Sequence, residues 1–200
     1  MTSNVHPAIT TAQTPRRATA AAFDDTPPGT TAAFGDAPPR VDAEYQLTPH
    51  ERVRVLRRMP ELLEVEATYE PGGQAPVAHR HPHQVERFAV LEGQLAVTID
   101  GCQRILHAGE SVTIGRGRSH SMVAAGDRAA RVIWQTSPAL TTERWWDGLD
   151  ELVRAHGGTP PMPAVARLLR EHDDVFTLAL PRPVARLVVQ LLALMPVRRG

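Results

Sequence analysis

Gly73-Gln-Ala-Pro-Val-Ala-His-Arg-His-Pro-His-Gln-Val-Glu-Arg-Phe-Ala-Val-Leu-Glu-Gly93 is the stretch that decides the fold. In an extended segment successive side chains point to opposite faces, so His79 and His81 share a face and can bind one ion. Glu86 has the wrong parity to continue that face on an unbroken strand. Pro82 interrupts the strand because it has no amide hydrogen. The chain can therefore turn and bring the Glu86 carboxylate back toward the two imidazoles.

A fourth candidate ligand, His120, ends the segment Gly-Glu-Ser-Val-Thr-Ile-Gly-Arg-Gly-Arg-Ser-His that begins at Gly109. A hairpin-like segment with an Asp100-Gly101 turn precedes it and is expected to fold it back onto the first three ligands. Three imidazoles and one carboxylate leave up to two positions of an octahedral ion open. The sequence predicts one divalent ion, and Fe, Mn, Ni, Co and Zn all accept imidazole.

The first of these segments resembles the first motif of the cupin superfamily. That motif consists of Gly, five residues, His-X-His, three or four residues, Glu, six residues and Gly. Every position is met, by Gly73, His79, His81, Glu86 and Gly93. The resemblance implies that the two histidines and the glutamate are metal ligands.

The second segment resembles the second cupin motif, which consists of Gly, five residues, Pro-X-Gly, two residues, His, three residues and Asn. Gly109, Gly117 and His120 match it, whereas Gly115 stands in place of the proline and Ala124 in place of the asparagine. These departures alter a turn and remove a polar group near the site but keep the histidine. The resemblance implies that His120 completes the ligand set.

The predicted organisation has three parts. Residues 1–44 are rich in alanine, threonine and proline and are expected to form a disordered arm. Residues 45–138 contain many short β-type segments separated by turns, which indicates a sandwich or barrel. The resemblance implies an all-β fold, a single jelly-roll β-barrel of the short bacterial single-domain cupin type. Residues 139–200 are expected to form a helical extension, with helices over 141–155, from Pro163 and from Pro183.

The last predicted helix carries an apolar face and is too short to cross a bilayer. Packing on the barrel or across a dimer interface is the preferred interpretation, and a role at a membrane surface, suggested by the trailing Val197-Arg198-Arg199, is the alternative. A homodimer is also what the resemblance implies.

Strand parity also nominates residues of the substrate pocket. In a barrel alternate residues face the interior, so parity with Glu86 nominates Phe88 and Val90, and parity with His120 nominates Met122. An apolar lining suits an organic substrate. The alternative for all three is core filling, because a pocket wall and a core have the same chemistry in a small barrel.

Two residues are candidates for moving a proton. Glu86 is expected to serve both as a ligand and as a proton acceptor. His83 follows Pro82, where it is interpreted as an alternate ligand, a proton carrier near the metal or a solvated loop residue.

Composition excludes several classes of partner. Twenty-two basic and 22 acidic residues give a formal net charge of zero, so no field favours nucleic acid or an anionic membrane. No secretory signal is evident at the N-terminus, and the single cysteine, Cys102, excludes an internal disulfide. A cytoplasmic location is therefore expected.

The resemblance implies a metal-dependent protein that acts on a small organic substrate with an enolic, carbonyl or polyphenolic group. The preferred interpretation is an oxygenase similar to the quercetin dioxygenases, which requires a redox-active ion. An ion that acts only as a Lewis acid favours a polyketide cyclase, an isomerase or a lyase. The third alternative is a module that binds a metal or small molecule without catalysis.

Overall fold

The computed structural model describes residues 43–197, so the predicted arm over 1–44 lies outside the described residues except for its last two positions. Strands and helices follow one another along the chain as β1 (Glu44–Thr48), β2 (Glu51–Met59), β3 (Leu62–Tyr69), β4 (His79–Arg80), β5 (Val85–Glu92), β6 (Gln94–Ile99), β7 (Cys102–His107), β8 (Ser111–Ile114), β9 (His120–Ala124), β10 (Ala130–Ser137), α1 (Thr142–Ala155), α2 (Met162–Glu171), β11 (Thr177–Leu178) and α3 (Arg182–Leu194).

The strands form two antiparallel sheets. One has the order β1-β2-β3-β10-β5-β8 and the other the order β11-β4-β9-β6-β7. Buried side chains from both sheets belong to one hydrophobic core, for example Val65 and Phe88 from the first sheet and Leu95 and Val97 from the second. The predicted all-β jelly-roll fold with a C-terminal helical extension is confirmed.

Strand β5 shows why the sequence adopts this arrangement. Glu86, Phe88 and Val90 are buried, and the residues between them are only half-buried. This period of two matches the pleat of a strand with one face on the core. Each large apolar side chain that is buried contributes roughly 1.5–3 kcal/mol. Because the period also buries Glu86, the strand carries a carboxylate into the interior.

The first two strands had no specific prediction. In β2 the segment Glu-Arg-Val-Arg-Val-Leu-Arg-Arg-Met buries Val53 and Val55, which lie on either side of Arg54. That alternation is typical of a half-exposed strand, but the high charge of the segment obscures it. Strand β2 pairs with β3 on one side and with β1 on the other.

Helix α1 packs against strand β1. Helix α1 buries Trp145 and Trp146, and the Gln46 amide donates to Asp150 Oδ1 at 2.7 Å, which joins α1 to β1. Prolines stand in the first turns of α2 and α3, as predicted. Helix α1 ends at Ala155 as predicted, and each of the three helices begins within one residue of its predicted start.

Helix α3 differs from the prediction in the face that it buries. Its small residues Ala185 and Ala193 are buried, whereas the large apolar residues of the predicted face are exposed: Val184, Leu187, Leu191, Leu194 and Met195. The prediction that this face packs on the barrel is therefore wrong, because α3 rests on α2 through its small side chains. Packing across a dimer interface stays a prediction. Within residues 43–197 no helix is long and apolar enough to span a membrane.

Candidate metal centre

Three histidines meet in the interior. One ring nitrogen from each of His79, His81 and His120 lies within 4.8 Å of the other two, and all three residues are buried. The cross-strand pair His79–His120 joins β4 to β9, which places two of the rings side by side. His81 follows β4 at the turn where Pro82 ends the strand. The structure thus brings together the three histidines that the sequence nominated.

Hydrogen bonds fix the tautomer of two of these rings. His79 Nδ1 lies 3.1 Å from the Val77 carbonyl oxygen, and His120 Nδ1 lies 3.1 Å from the Arg118 carbonyl oxygen. A carbonyl accepts only, so each Nδ1 carries the proton and donates it. The Nε2 atoms then carry the lone pairs that a metal ion needs.

Gln84 does the same for the third ring. Its Oε1 lies 3.2 Å from His81 Nδ1, and its Nε2 donates to the carbonyl oxygens of Pro138 (2.9 Å) and Ala139 (3.1 Å) and to Thr142 Oγ1 (2.8 Å). Because the amide nitrogen faces these acceptors, the amide oxygen faces His81. Gln84 is buried and orients the ring with Nε2 free.

Glu86 lies among the rings. Its Oε2 is 2.9 Å from His120 Nε2 and 3.4 Å from His81 Nε2, and its Oε1 accepts a hydrogen bond from Trp134 Nε1 at 3.1 Å. Burial works to raise the pKa of Glu86, but the adjacent imidazoles, His81 first, outweigh it and hold the pKa at about 2. The side chain is therefore a carboxylate throughout the neutral range.

The free atoms of this cluster fit one divalent ion. Among residues 43–197, His81 Nε2, His120 Nε2 and Glu86 Oε2 are buried and have no hydrogen-bond partner, although Glu86 Oε2 lies close to both nitrogens. Leaving a polar atom buried and unpaired costs about 1–3 kcal/mol. A divalent ion held by these side chains would satisfy all three atoms. Together with His79, these two imidazoles and the carboxylate form a donor set typical of sites for divalent transition metals.

The charge states of the histidines agree with such a site. Burial lowers the pKa of His79 well below the usual value and also lowers the pKa of His81, so both rings are neutral and able to coordinate. Burial also acts to lower the pKa of His120. The neighbouring Glu86 carboxylate outweighs burial, by its hydrogen-bond interaction and its charge, and the pKa of His120 is raised.

The cluster opens into a cavity of about 620 Å³ whose wall is mostly apolar. Phe176 stacks on the His79 ring, with 4.3 Å between ring centroids and 15° between planes, and Trp145 stacks on Phe176 at 5.2 Å. Pairing of β11 with β4 holds Phe176 in this position. The helical extension thus supplies part of the cavity wall. Its aromatic lining consists of Tyr69, Phe88, Trp134, Trp145, Trp146 and Phe176.

The nominated pocket residues occupy two different environments. Phe88 and Met122 line the cavity together with the histidines. Val90 does not: it pairs with Val132 of β10 and packs in the core that the two sheets share. The nomination of Val90 is corrected, because strand parity gives the face of the sheet but not how far along the strand the cavity extends.

His83 lies apart from the cluster. It is exposed and lines a separate surface depression together with Arg80, Pro82 and Asp173. Pro82 turns the chain so that His81 faces inward and His83 faces outward. This placement contradicts the interpretation of His83 as a ligand or as a proton carrier for the cluster and leaves that of a solvated residue.

Part of the chain matches a known protein family. Residues 65–136 match the family described as Cupin domain. The chain contains a cupin domain. The matched segment runs from β3 to β10 and includes the three histidines and Glu86, so the resemblance found in the sequence is confirmed.

Individual relatives are more distant. Over 66 residues the chain is 32% identical to the tetracenomycin polyketide synthase protein TcmJ of Streptomyces glaucescens, a match that spans 33% of this chain and 44% of that protein. Similar solved structures include KdgF from Halomonas sp. (20% identity, TM-score 0.47, covering 51% of this chain and 91% of that one). Another is an RmlC-like cupin from Shewanella frigidimarina (22% identity, TM-score 0.46, covering 56% and 93%).

A second polar group lies in the cavity wall and was not found from the sequence. Glu51, the first residue of β2, pairs across the sheet with Tyr69, the last residue of β3, and both line the cavity. Burial raises the pKa of Glu51 to about 7. The interaction with Tyr69 acts to lower this pKa, and the charge of Glu86 acts to raise it further. In the sequence, Glu51 and Tyr69 are only a glutamate and a tyrosine at strand ends. Nothing in the local pattern distinguishes them from surface residues.

The raised pKa of Glu51 predicts how the stability of the metal-free protein depends on pH. The folded state holds a proton on Glu51 between pH 4.5 and about 7, where the unfolded state does not. Stability from this group is therefore complete below pH 4.5 and is lost as pH rises through 7. With Glu51 half-buried, we expect the loss to be roughly 1–2 kcal/mol.

Urea denaturation of the metal-free protein at pH 5 and pH 7.5 tests this expectation. The fall in unfolding free energy between the two pH values should be smaller in Glu51→Gln than in the unmodified protein by that amount. An identical fall in both proteins contradicts the assignment.

Proposed function

We propose that this protein is a metal-dependent enzyme that acts on a flat, oxygen-bearing aromatic substrate of the polyketide type. The observation that carries the proposal is the cluster of His79, His81, His120 and Glu86, which opens directly into a cavity lined by aromatic rings. A substrate that fills such a cavity is planar and largely apolar and directs an oxygen atom toward the cluster.

The cavity size supports this substrate class. A volume of about 620 Å³ lies within the range of small-molecule sites, roughly 300–1,000 Å³. Stacked aromatic walls such as Phe176 and Trp145 favour fused rings over sugars or aliphatic chains. The similarity to a protein named for a polyketide synthase points to the same class of substrate.

Each part of the chain has a role in this proposal. The histidines and Glu86 would hold one divalent ion, which would supply Lewis-acid polarisation of a substrate oxygen. Trp134 fixes Glu86 through its indole N–H, and Gln84 fixes His81. With a pKa of about 2, Glu86 is suited to be a ligand and is a poor proton acceptor, so a proton-transfer group has to come from elsewhere in the cavity.

The reaction that we favour is a cyclisation or isomerisation assisted by the ion and by proton transfer. The second candidate is an oxygenase similar to the quercetin dioxygenases. It is favoured by the ligand number, since three histidines and one carboxylate leave up to two positions of an octahedral ion for a substrate oxygen and dioxygen.

The experiment compares zinc-, nickel-, manganese- and iron-loaded protein on an aromatic probe that carries a 1,3-diketone and on a polyphenol. An oxygen electrode and mass spectrometry follow each reaction. A product of unchanged mass, or one that has lost water, without oxygen uptake supports the favoured reaction. Oxygen uptake with incorporation of oxygen atoms supports the oxygenase. No metal-dependent turnover in any form, with His120→Ala as the metal-free control, contradicts the enzymatic function.

A further inference from the structure

We propose that Tyr69 and Glu51 form a second polar site in the cavity, apart from the metal ligands, which binds a substrate oxygen and exchanges a proton with the substrate. This inference rests on the proposed function for the class of substrate. It supplies the proton-transfer group that neither Glu86 nor His83 provides.

The sheet register places the two residues side by side. Glu51 and Tyr69 are directly opposite each other on neighbouring antiparallel strands, and side chains in such a pair lie on the same face. That face forms the cavity wall, which also contains His79, Glu86 and Trp134. A single substrate in this cavity is therefore able to reach both the metal ligands and the Glu51–Tyr69 pair.

The Tyr69 hydroxyl is the observation that points to a ligand. Tyr69 is 3% exposed, and among residues 43–197 its hydroxyl is buried and has no hydrogen-bond partner. The Glu51 carboxyl is the polar group beside it, and its interaction with Tyr69 works to lower the pKa of Glu51. Buried tyrosine hydroxyls usually have a partner, because leaving one unpaired costs free energy. A substrate oxygen in the cavity would provide that partner.

Tyr45 shows what a tyrosine with a structural role looks like in this fold. It is also buried, but its hydroxyl donates to Glu143 Oε1 of α1 at 3.2 Å and it is not part of the cavity wall. The hydroxyl of Tyr45 therefore joins two elements of the fold, whereas the hydroxyl of Tyr69 joins none in the described residues.

Glu51 adds the capacity to exchange a proton. Burial raises its pKa to about 7, so near neutral pH it is present in both protonation states. The ionisable groups around it are Tyr69 on β3, Glu86 on β5 and the neighbouring exposed His50, which also lines the cavity. Burial and the charge of Glu51 raise the pKa of Tyr69 well above its usual value, so the tyrosine stays a hydrogen-bond donor.

The proton balance of the step is simple. A proton leaves a carbon next to a substrate carbonyl and goes to the Glu51 carboxylate, and the electron pair of the broken C–H bond moves into the enolate. The Tyr69 hydroxyl donates a hydrogen bond to a substrate oxygen. Protonated Glu51 returns the proton to the product, so no oxidant or reductant is needed.

The test uses Tyr69→Phe and Glu51→Gln, which keep the shape of the wall, and Tyr45→Phe as the matched control. For each protein, metal content, thermal stability and the affinity for quercetin, used as a polyphenol probe, are measured; tryptophan fluorescence reports binding. We expect full metal content in all, about tenfold weaker probe binding in Tyr69→Phe and unchanged binding in Tyr45→Phe. Thermal stability should fall in Tyr45→Phe but not in Tyr69→Phe, which removes an unpaired hydroxyl.

The pH profile separates the role of Glu51 from a structural one. Where the zinc-loaded protein turns over the diketone probe, its rate should rise with pH through an inflection near 7, and Glu51→Gln should lose that inflection together with about tenfold or more of the rate. Unchanged probe affinity in Tyr69→Phe overturns the proposal, as does an unchanged profile in Glu51→Gln. Absence of metal or turnover in the unmodified protein contradicts the proposed function instead, and the probe affinities still decide whether the pair binds a ligand.

Discussion

Replacing His120 with alanine is expected to reduce the metal content of the purified protein from about one ion per chain to a small fraction. His120 Nε2 is buried, has no hydrogen-bond partner among residues 43–197, and lies 2.9 Å from Glu86 Oε2. Removal of this ligand leaves two imidazoles and one carboxylate, so we expect the affinity for the metal to fall by more than about 100-fold. Replacing a residue that only hydrogen-bonds to a ligand typically costs about 10–100-fold. Elemental analysis and titration against a chelator measure both quantities.

His83→Ala is the matched control for this experiment. It removes an imidazole from the same short segment, but this side chain is exposed and faces a different depression. Metal content should be unchanged. An equal loss of metal in His83→Ala, or retention of metal in His120→Ala with the fold intact by circular dichroism, contradicts the ligand assignment.

Gln84→Leu is expected to weaken metal binding about 10–100-fold although Gln84 is not a ligand. Leucine has a similar volume but cannot accept a hydrogen bond from His81 Nδ1, so the ring loses the hydrogen bond that fixes its tautomer and orientation. The same change leaves Thr142 Oγ1 and two carbonyl oxygens without the amide donor. Affinity by chelator competition and stability by urea denaturation of the metal-free protein are both needed.

Gln94→Leu is the control, because Gln94 is an exposed glutamine elsewhere on the sheets. Gln84→Glu refines the result, because a carboxylate still accepts from His81 but repels the carbonyl oxygens of Pro138 and Ala139. We expect it to destabilise the metal-free fold yet to keep more metal affinity than Gln84→Leu. Equal affinity in Gln84→Leu and the unmodified protein excludes the positioning role.

The part of the site that the sequence predicted is the part built by local geometry. His79 and His81 share a face because side chains alternate along a strand, and Pro82 separates them from the strand that carries Glu86. Helix starts followed from proline positions for the same reason, since proline acts on its own neighbours. Metal identity, a homodimer and a cytoplasmic location remain predictions.

The parts of the site that the sequence did not predict depend on contacts between segments that are distant in the chain. Phe176 reaches the His79 ring only because β11 pairs with β4, about a hundred residues earlier in the chain. Gln84 orients His81 because its amide meets the chain around Pro138 and Thr142. A glutamine and a phenylalanine have no spacing pattern that predicts such a role, so only the folded chain shows it.

The most direct test of the metal site is an anomalous difference map from a crystal of the metal-loaded protein. We expect one peak per chain at about 2.0–2.3 Å from Nε2 of His79, His81 and His120 and from the Glu86 carboxylate. A cluster without a peak, in which Glu86 and His120 are joined by a hydrogen bond, or a peak bound by other side chains such as His83, would contradict the account.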